Sequence, residues 1–109
     1  MATSSQSKQP ASVTNVAVGR YLEATLAAAF TITTGFKPRW VRVINETASS
    51  SSFEWFEGMD DASAIKRAIA GDLTVVTTNG ITVSASGFTV GLDTDVNVVN
   101  EQLDWIAIG

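Results

Sequence analysis

Apolar and polar residues alternate with a period of two along most of this chain, which is typical of half-buried β-strands. The alternation is clearest in residues 39–46, where two valines occupy one face and Trp40, Arg42 and Ile44 occupy the other. Because both faces carry large side chains, we expect this strand to lie centrally between two packed layers or at a subunit contact. The pattern predicts eight or nine short strands, at residues 13–21, 29–33, 39–46, 53–57, 73–77, 81–84, 88–91, 96–99 and 102–108.

Turn signals separate these segments. Gly35 and Pro38 interrupt the chain before residue 39, and the serine-rich residues 46–52 suit an exposed hairpin loop. The Asn-Gly pair at residues 79–80 predicts a tight hairpin turn. Short strands divided by frequent turns favour an all-β, mainly antiparallel domain, and we predict a two-sheet β-sandwich of the jelly-roll kind.

Two segments depart from this alternation. Residues 58–71 predict one short helix, which an aspartate caps and a glycine ends. The residues that define this helix are Asp60 or Asp61 at the start, Ala64, Ile65, Ala68 and Ile69 along one side, and Gly71 at the end. Residues 22–29 are rich in alanine, and propensity leaves open whether they form a helix or a strand.

Residues 87–109 are expected to organise the sheet. They contain two β-segments with polar turn residues between them, and the second carries Leu103, Trp105 and Ile108. A frayed terminus has no reason to carry so much apolar surface. We therefore expect this segment to lie inside a sheet, with earlier strands paired around it.

The length of 109 residues leaves room for one domain with one core. Residues 1–12 are mostly polar and have little to bury, so they predict a flexible N-terminal arm ahead of a single domain at residues 13–109. The arm residues expected to contact a partner are Ser4, Ser5, Lys8 and Pro10.

Composition removes several classes of function. The chain has no Cys and no His, so it lacks disulfides, thiolate nucleophiles and the commonest general base and zinc ligand. Its net charge of −4 has the wrong sign for a nucleic-acid-binding face. No apolar run reaches the roughly 18 residues that cross a bilayer and no signal pattern is present, so we expect a cytoplasmic product with no membrane partner. The chain is 45% hydrophobic and only 17% charged, which suggests that other subunits cover part of its surface.

Two acidic clusters are candidate metal sites. Asp93, Asp95 and Asn97 alternate along the chain and could offer oxygen ligands to Ca²⁺, as could Asp60 with Asp61. The glycine and the downstream glutamate of an EF-hand loop are not in register with either cluster. Turn and cap roles are therefore favoured, and we predict no metal and no cofactor.

Catalytic arrangements are equally weak. Glu54 and Glu57 flank two aromatic residues as in a carbohydrate site, but strand alternation sends the two carboxylates to opposite faces. Lys66 is expected to be an ordinary surface charge, and no Gly-x-Ser-x-Gly elbow is present. We predict that the protein is not an enzyme.

The aromatic residues are expected to supply core and interface area, with no ligand-stacking row. The strand residues expected to form a partner interface are Trp40, Arg42, Trp55 and Phe56.

Four stretches carry a resemblance to a known group of proteins. They are TGFKPRWVRVIN at residues 34–45, FEWFEGM at 53–59, SAIKRAIAG at 63–71 and NGITVSASGFTVGLDTDVNVVNEQLDWIAIG at 79–109. Their order resembles small virion structural proteins of tailed bacteriophages, in which a GF-x-P-x-x-V-x-V-x-N strand and a closing GF-x-(V/L)-G…N…(W/Y)-x-A segment recur in β-sandwich domains.

This resemblance implies a phage particle component, and the short chain with its polar arm favours a capsid decoration or cement protein. Such a protein would bind the major capsid protein lattice at the virion surface after synthesis in the host cytoplasm. It would also be a homo-oligomer, with a trimer favoured over a dimer. The alternative is a tail-fibre or tail-tip module that holds a receptor glycan with exposed aromatics such as Trp55.

Overall fold

The computed structural model describes residues 15–22, 28–47, 51–68 and 70–109, and these contain eight β-strands and no helix. The strands are β1 (Val16–Leu22), β2 (Phe30–Thr33), β3 (Trp40–Asn45), β4 (Ser52–Phe56), β5 (Ser63–Arg67), β6 (Leu73–Ser84), β7 (Gly87–Val90) and β8 (Gln102–Ile108). Every neighbouring pair is antiparallel. The all-β, antiparallel class predicted from the alternation is therefore confirmed.

The strands form one curled sheet in the order β1-β8-β3-β4-β5-β6-β7-β2. Strand β8 pairs with β1 on one side and β3 on the other, so the C-terminal segment does have earlier strands paired around it. The two end strands approach each other where the ring of Tyr21 stacks on the ring of Phe30, with centroids 3.6 Å apart. The sheet thus curls into a half-barrel with a concave inner face.

The inner face holds the core. On β3 the side chains of Val41 and Val43, which share one face in the alternating pattern, are fully buried, and on β4 those of Phe53 and Trp55 are buried beside them. Full burial of an apolar side chain of this size contributes about 1.5–3 kcal/mol, so this face supplies the main stabilisation. The buried apolar residues are Phe30, Val41, Val43, Phe53, Trp55, Ala64, Ile81, Phe88, Val90, Val96, Leu103 and Ala107.

The short helix predicted for residues 58–71 is not confirmed. Ser63–Arg67 is strand β5, which pairs with β4 and β6. Ala64 and Lys66 face inward, and Ile65 and Arg67 face outward. The spacing of the apolar residues suits a helix, but the segment forms a strand. Tertiary pairing on both sides outweighs the local helix preference.

The two-sheet sandwich is not confirmed either, and β5 gives the physical reason. Because it is hydrogen-bonded to β4 and to β6, it joins strands that would otherwise belong to separate layers. The described strands therefore make one continuous ladder.

The Asn-Gly pair at residues 79–80 is not a hairpin turn. Asn79 has a φ of 58°, but it lies inside the 12-residue strand β6, whose first part pairs with β5 and whose last four residues pair with β7. Gly80 is required there because a Cβ atom would lie 2.6 Å from the backbone of Ser63. The pair thus bends a strand at a close backbone approach.

The strand predicted at residues 96–99 is wrong. Residues 91–101 form a segment without strands, here named the closing loop, in which Val96 is fully buried and lies in the core. The strands predicted at residues 73–77 and 81–84 are joined in the single strand β6, and the remaining predicted strands are found within three residues of their expected ends. The N-terminal arm and the helix-or-strand question at residues 23–27 lie outside the described residues.

Candidate interaction surface

The outward face of the sheet carries exposed apolar side chains in register. One row crosses four strands through Val16, Ile108, Trp40 and Phe56. A second row crosses six strands through Val18, Ile106, Arg42, Glu54, Ile65 and Val75. We name the apolar members of both rows, with Leu73, the outer apolar surface.

This surface is open to solvent in the isolated chain. Val18, Val75 and Leu73 are 69%, 66% and 65% exposed, and Val16 and Phe56 are about half exposed. Single exposed apolar residues are ordinary, but several of them grouped on one face are typical of an interaction surface.

Trp40 is held in place on this face by a carboxylate. Its indole Nε1 donates a hydrogen bond of 2.8 Å to Oε2 of Glu54 on the adjacent strand. Glu57 is engaged separately, since Nε of Arg39 lies 3.1 Å from its Oε2. The two glutamates therefore serve two different partners, and they do not form an acid pair.

The structure brings together three of the sequence-predicted interface residues. Trp40, Arg42 and Phe56 share the outward face of β3 and β4. Trp55 lies on the opposite face, is only 5% exposed and packs in the core. The predicted arm residues Ser4, Ser5, Lys8 and Pro10 lie outside the described residues.

Strand β1 forms one edge of this surface. Among the described strands it is the last on its side of the sheet, and its outward side chains include the exposed Val16, Val18 and Leu22. Arg20 is the one charged residue of this strand, and it pairs at 3.4 Å with Asp104 of β8. Edge strands with apolar side chains are templates for pairing with another chain.

A charge cluster on the inner face attaches the closing loop to the sheet. Nζ of Lys66 lies 2.9 Å from Asp93 and 2.8 Å from Asp95, and the Lys66 side chain is only 13% exposed. Oδ1 of Asp93 also accepts the backbone amides of Asp95 and Val96. The aspartates thus perform turn chemistry, and Lys66 is not the ordinary surface charge that the sequence indicated.

Both partners of this cluster are charged at neutral pH. Partial burial lowers the pKa of Lys66, but hydrogen bonds to Asp95 and Asp93 outweigh it, and the pKa lies above its ordinary value of 10.5. Partial burial raises the pKa of Asp93, but hydrogen bonds from Lys66 and from two backbone amides bring it below 3.8. A lysine held in its ammonium form does not act as a nucleophile or a general base.

Two buried asparagines complete the attachment. Nδ2 of Asn45 donates to the carbonyl of Val96 and to Glu101, at 3.2 and 2.7 Å. Nδ2 of Asn97 donates to the carbonyls of Ala28 and Gly91, at 2.8 and 3.1 Å. The closing loop is therefore fixed at several points over the core.

Other sites are sparse in the part of the chain that the structure describes. No three Asp or Glu side chains there converge as metal ligands. Nor do the described residues include a helix with the length and apolar character that a membrane crossing needs.

The fold and its exposed face define an all-β protein built on one curled antiparallel sheet. Comparison with protein-family models, curated proteins and solved structures finds no match for this chain.

Proposed function

We propose that this protein is a structural component of a tailed-phage particle that binds and stabilises the capsid exterior. The observation that carries the proposal is the outer apolar surface, whose rows stay exposed although the inner face is well packed. The resemblance of residues 30–109 to small virion proteins supports the same function. The protein acts by binding, without a catalytic step.

Stabilisation follows from mass action. A protein that binds only the assembled lattice lowers the free energy of that lattice relative to its separated subunits. Contact with several subunits at once adds avidity without requiring one strong contact. The outward rows suit such a contact, and the arm of residues 1–12 supplies a second attachment in this proposal.

Self-association belongs to the same proposal. The edge strand β1 provides backbone donors and acceptors next to exposed valines, which suits pairing with a neighbouring copy. A trimer placed on a lattice threefold axis is the expected assembly, with a dimer as the alternative. Sedimentation equilibrium of the purified protein distinguishes the two.

The alternative function, a receptor-glycan module of the tail, loses its main aromatic candidate. Trp55 was expected to be exposed for sugar stacking, but it is 5% exposed. The capsid proposal is therefore the better supported of the two.

The first test is a count of copies per particle by mass spectrometry, relative to the major capsid protein. Hundreds of copies, near one per capsid subunit, are expected. A few to a few dozen copies would move the protein to the tail or a vertex and reject the proposal.

A second test uses Val18→Lys and Val75→Lys, which place charges on the outer apolar surface. Leu92→Lys is the matched control, since Leu92 is an exposed apolar residue of the closing loop at 43% exposure. We expect both surface variants to lose at least tenfold in retention on particles and the control to be retained. Stability should change by no more than about 0.5 kcal/mol in all three. Equal retention of all variants would exclude this surface as the contact.

The arm is tested separately by deletion of residues 1–11. The remaining domain should stay folded, because its buried apolar residues all lie between Phe30 and Ala107, and its retention on particles should weaken. Unchanged retention would remove the arm from the proposal.

A further inference from the structure

A depression on the outward face of β3 to β6 gathers charged and apolar groups. Its volume is about 260 Å³, and its lining residues are Arg42, Ser52, Glu54, Ile65, Arg67 and Leu73. The register explains the gathering, since Arg42 lies opposite Glu54 and Ser52 lies opposite Arg67 on adjacent strands.

The two arginines are unusual because the chain has a surplus of acids. It contains 11 acidic and 7 basic residues. Among the described residues, Arg20, Arg39 and Lys66 are ion-paired with carboxylates. Arg42 and Arg67 have no such partner in the part of the chain that the structure describes, yet both line this depression.

Glu54 is the acid that lines the depression with them, and it is already engaged. Its Oε2 accepts the indole N–H of Trp40 at 2.8 Å. Trp40 lies at the start of β3, before Arg42. Ser52 of β4 and Arg67 of β5 lie beside the other end of β3. The carboxylate is therefore held away from Arg67.

We propose that this depression binds a carboxylate group between Arg42 and Arg67. Two guanidinium groups and one carboxylate give the depression a net charge of +1, which matches a monoanion better than a dianionic phosphate. The planar guanidinium presents paired donors that fit a carboxylate, and the Ser52 hydroxyl adds a further donor. Ile65 and Leu73 provide apolar walls for the aliphatic part of the ligand.

The carboxylate has two sources, a free small acid or a glutamate side chain of a bound protein. The depression shares Ile65 and Leu73 with the outer apolar surface, but it forms within one chain and does not require the proposed capsid contact. It is tested on the isolated protein, so its failure leaves the particle assays unaffected.

The experiment is an NMR titration at constant ionic strength that follows the Nε–Hε signals of the arginines. The probes are butyrate, N-acetylglutamate amide and inorganic phosphate. We expect saturable shifts of the Arg42 and Arg67 signals with the two carboxylates and weaker binding of phosphate. A preference for the glutamate amide points to a protein side chain, and a preference for butyrate points to a free acid.

Variants complete the test. Arg42→Gln and Arg67→Gln should each weaken carboxylate binding about tenfold, since each removes a charge-assisted hydrogen bond. Lys37→Gln is the matched control, because Lys37 is an exposed cation outside the depression, and it should bind as the wild type does. Absence of saturation, an equal loss in the control, or tighter binding of phosphate would overturn the proposal.

Discussion

Replacing Lys66 with Met should lower the free energy of unfolding by about 3 kcal/mol at pH 7. The substitution removes the cation that faces Asp93 and Asp95 across 2.9 and 2.8 Å. Methionine keeps the apolar stem of the lysine, so the loss of packing is small. The effect therefore reports mainly on carboxylates left without their partner.

The structure indicates that the loss of stability in Lys66→Met lies at the low end of the range known for broken buried ion pairs. Removing one partner from a buried ion pair costs about 3–5 kcal/mol, because an uncompensated charge stays behind. The Lys66 and Asp93 side chains are 13% and 10% exposed, but that of Asp95 is 28% exposed and is accessible to water. Asp93 also keeps its two backbone amide donors. A domain of this size has a total stability of about 5–15 kcal/mol, so the loss is a large share of it.

The assay is urea unfolding with linear extrapolation. Lys37→Met is the control, since Lys37 is exposed, and its change should stay within about 0.5 kcal/mol. Adding Asp93→Asn to Lys66→Met should recover part of the loss, because the amide needs no counter-ion. A loss below about 1 kcal/mol in Lys66→Met, or one equal to that of the control, would refute an ion cluster that holds the closing loop.

Three further outcomes are expected. Asn45→Ala should cost about 2–4 kcal/mol in urea unfolding, because it removes two donated hydrogen bonds and leaves buried acceptors unpaired. Gly19→Ala should cost about 1–3 kcal/mol and change tryptophan fluorescence, because the new Cβ would lie 2.6 Å from the Trp105 ring. The free energy of unfolding should decrease as the pH falls below 3.8, because Asp93, whose pKa is lowered, then becomes protonated. It should also decrease as the pH rises above 10.5, because Lys66, whose pKa is raised, then loses its proton. The measurement is the urea midpoint as a function of pH. The prediction is contradicted if Lys66→Met shows the same decreases at low and at high pH as the wild type.

The alternation predicted the strands that pair regularly across the middle of the sheet. Residues 102–108 and 39–46 were expected as strands, and they are found as Gln102–Ile108 and Trp40–Asn45. Val41 and Val43 were expected to share one face of their strand, and both are buried. These segments succeed because a period of two has no helical interpretation there.

Strand β5 could not be recognised from the same signal. Its apolar residues at 64 and 65, followed by those at 68 and 69, match a helix face as well as a strand. Lys66 counts as polar in any pattern, so its inward direction is hidden. The partners Asp93 and Asp95, which lie far along the chain, make that direction favourable.

The candidate surface was partly predictable for a related reason. Strand alternation alone predicts that Trp40, Arg42 and Phe56 lie on the outward face. Val18 and Val75 join this surface only because of the order of the strands in the sheet. No local pattern shows that β1 lies at an edge, because its place depends on pairing with the distant β8. Trp55 was assigned to an interface although its own alternation with Phe53 had already directed it inward.

The single sheet explains why β3 carries large residues on both faces. The sequence suggested either two packed layers or a subunit contact, and the inner layer is provided by the curl of the sheet and the closing loop. No second sheet among the described strands covers the outward face, where Trp40 and Ile44 stay half-buried and Val18 stays exposed. Since the core is built on the inner face of the sheet, the outward apolar residues are available for a partner. The subunit contact is thus the alternative that this architecture favours.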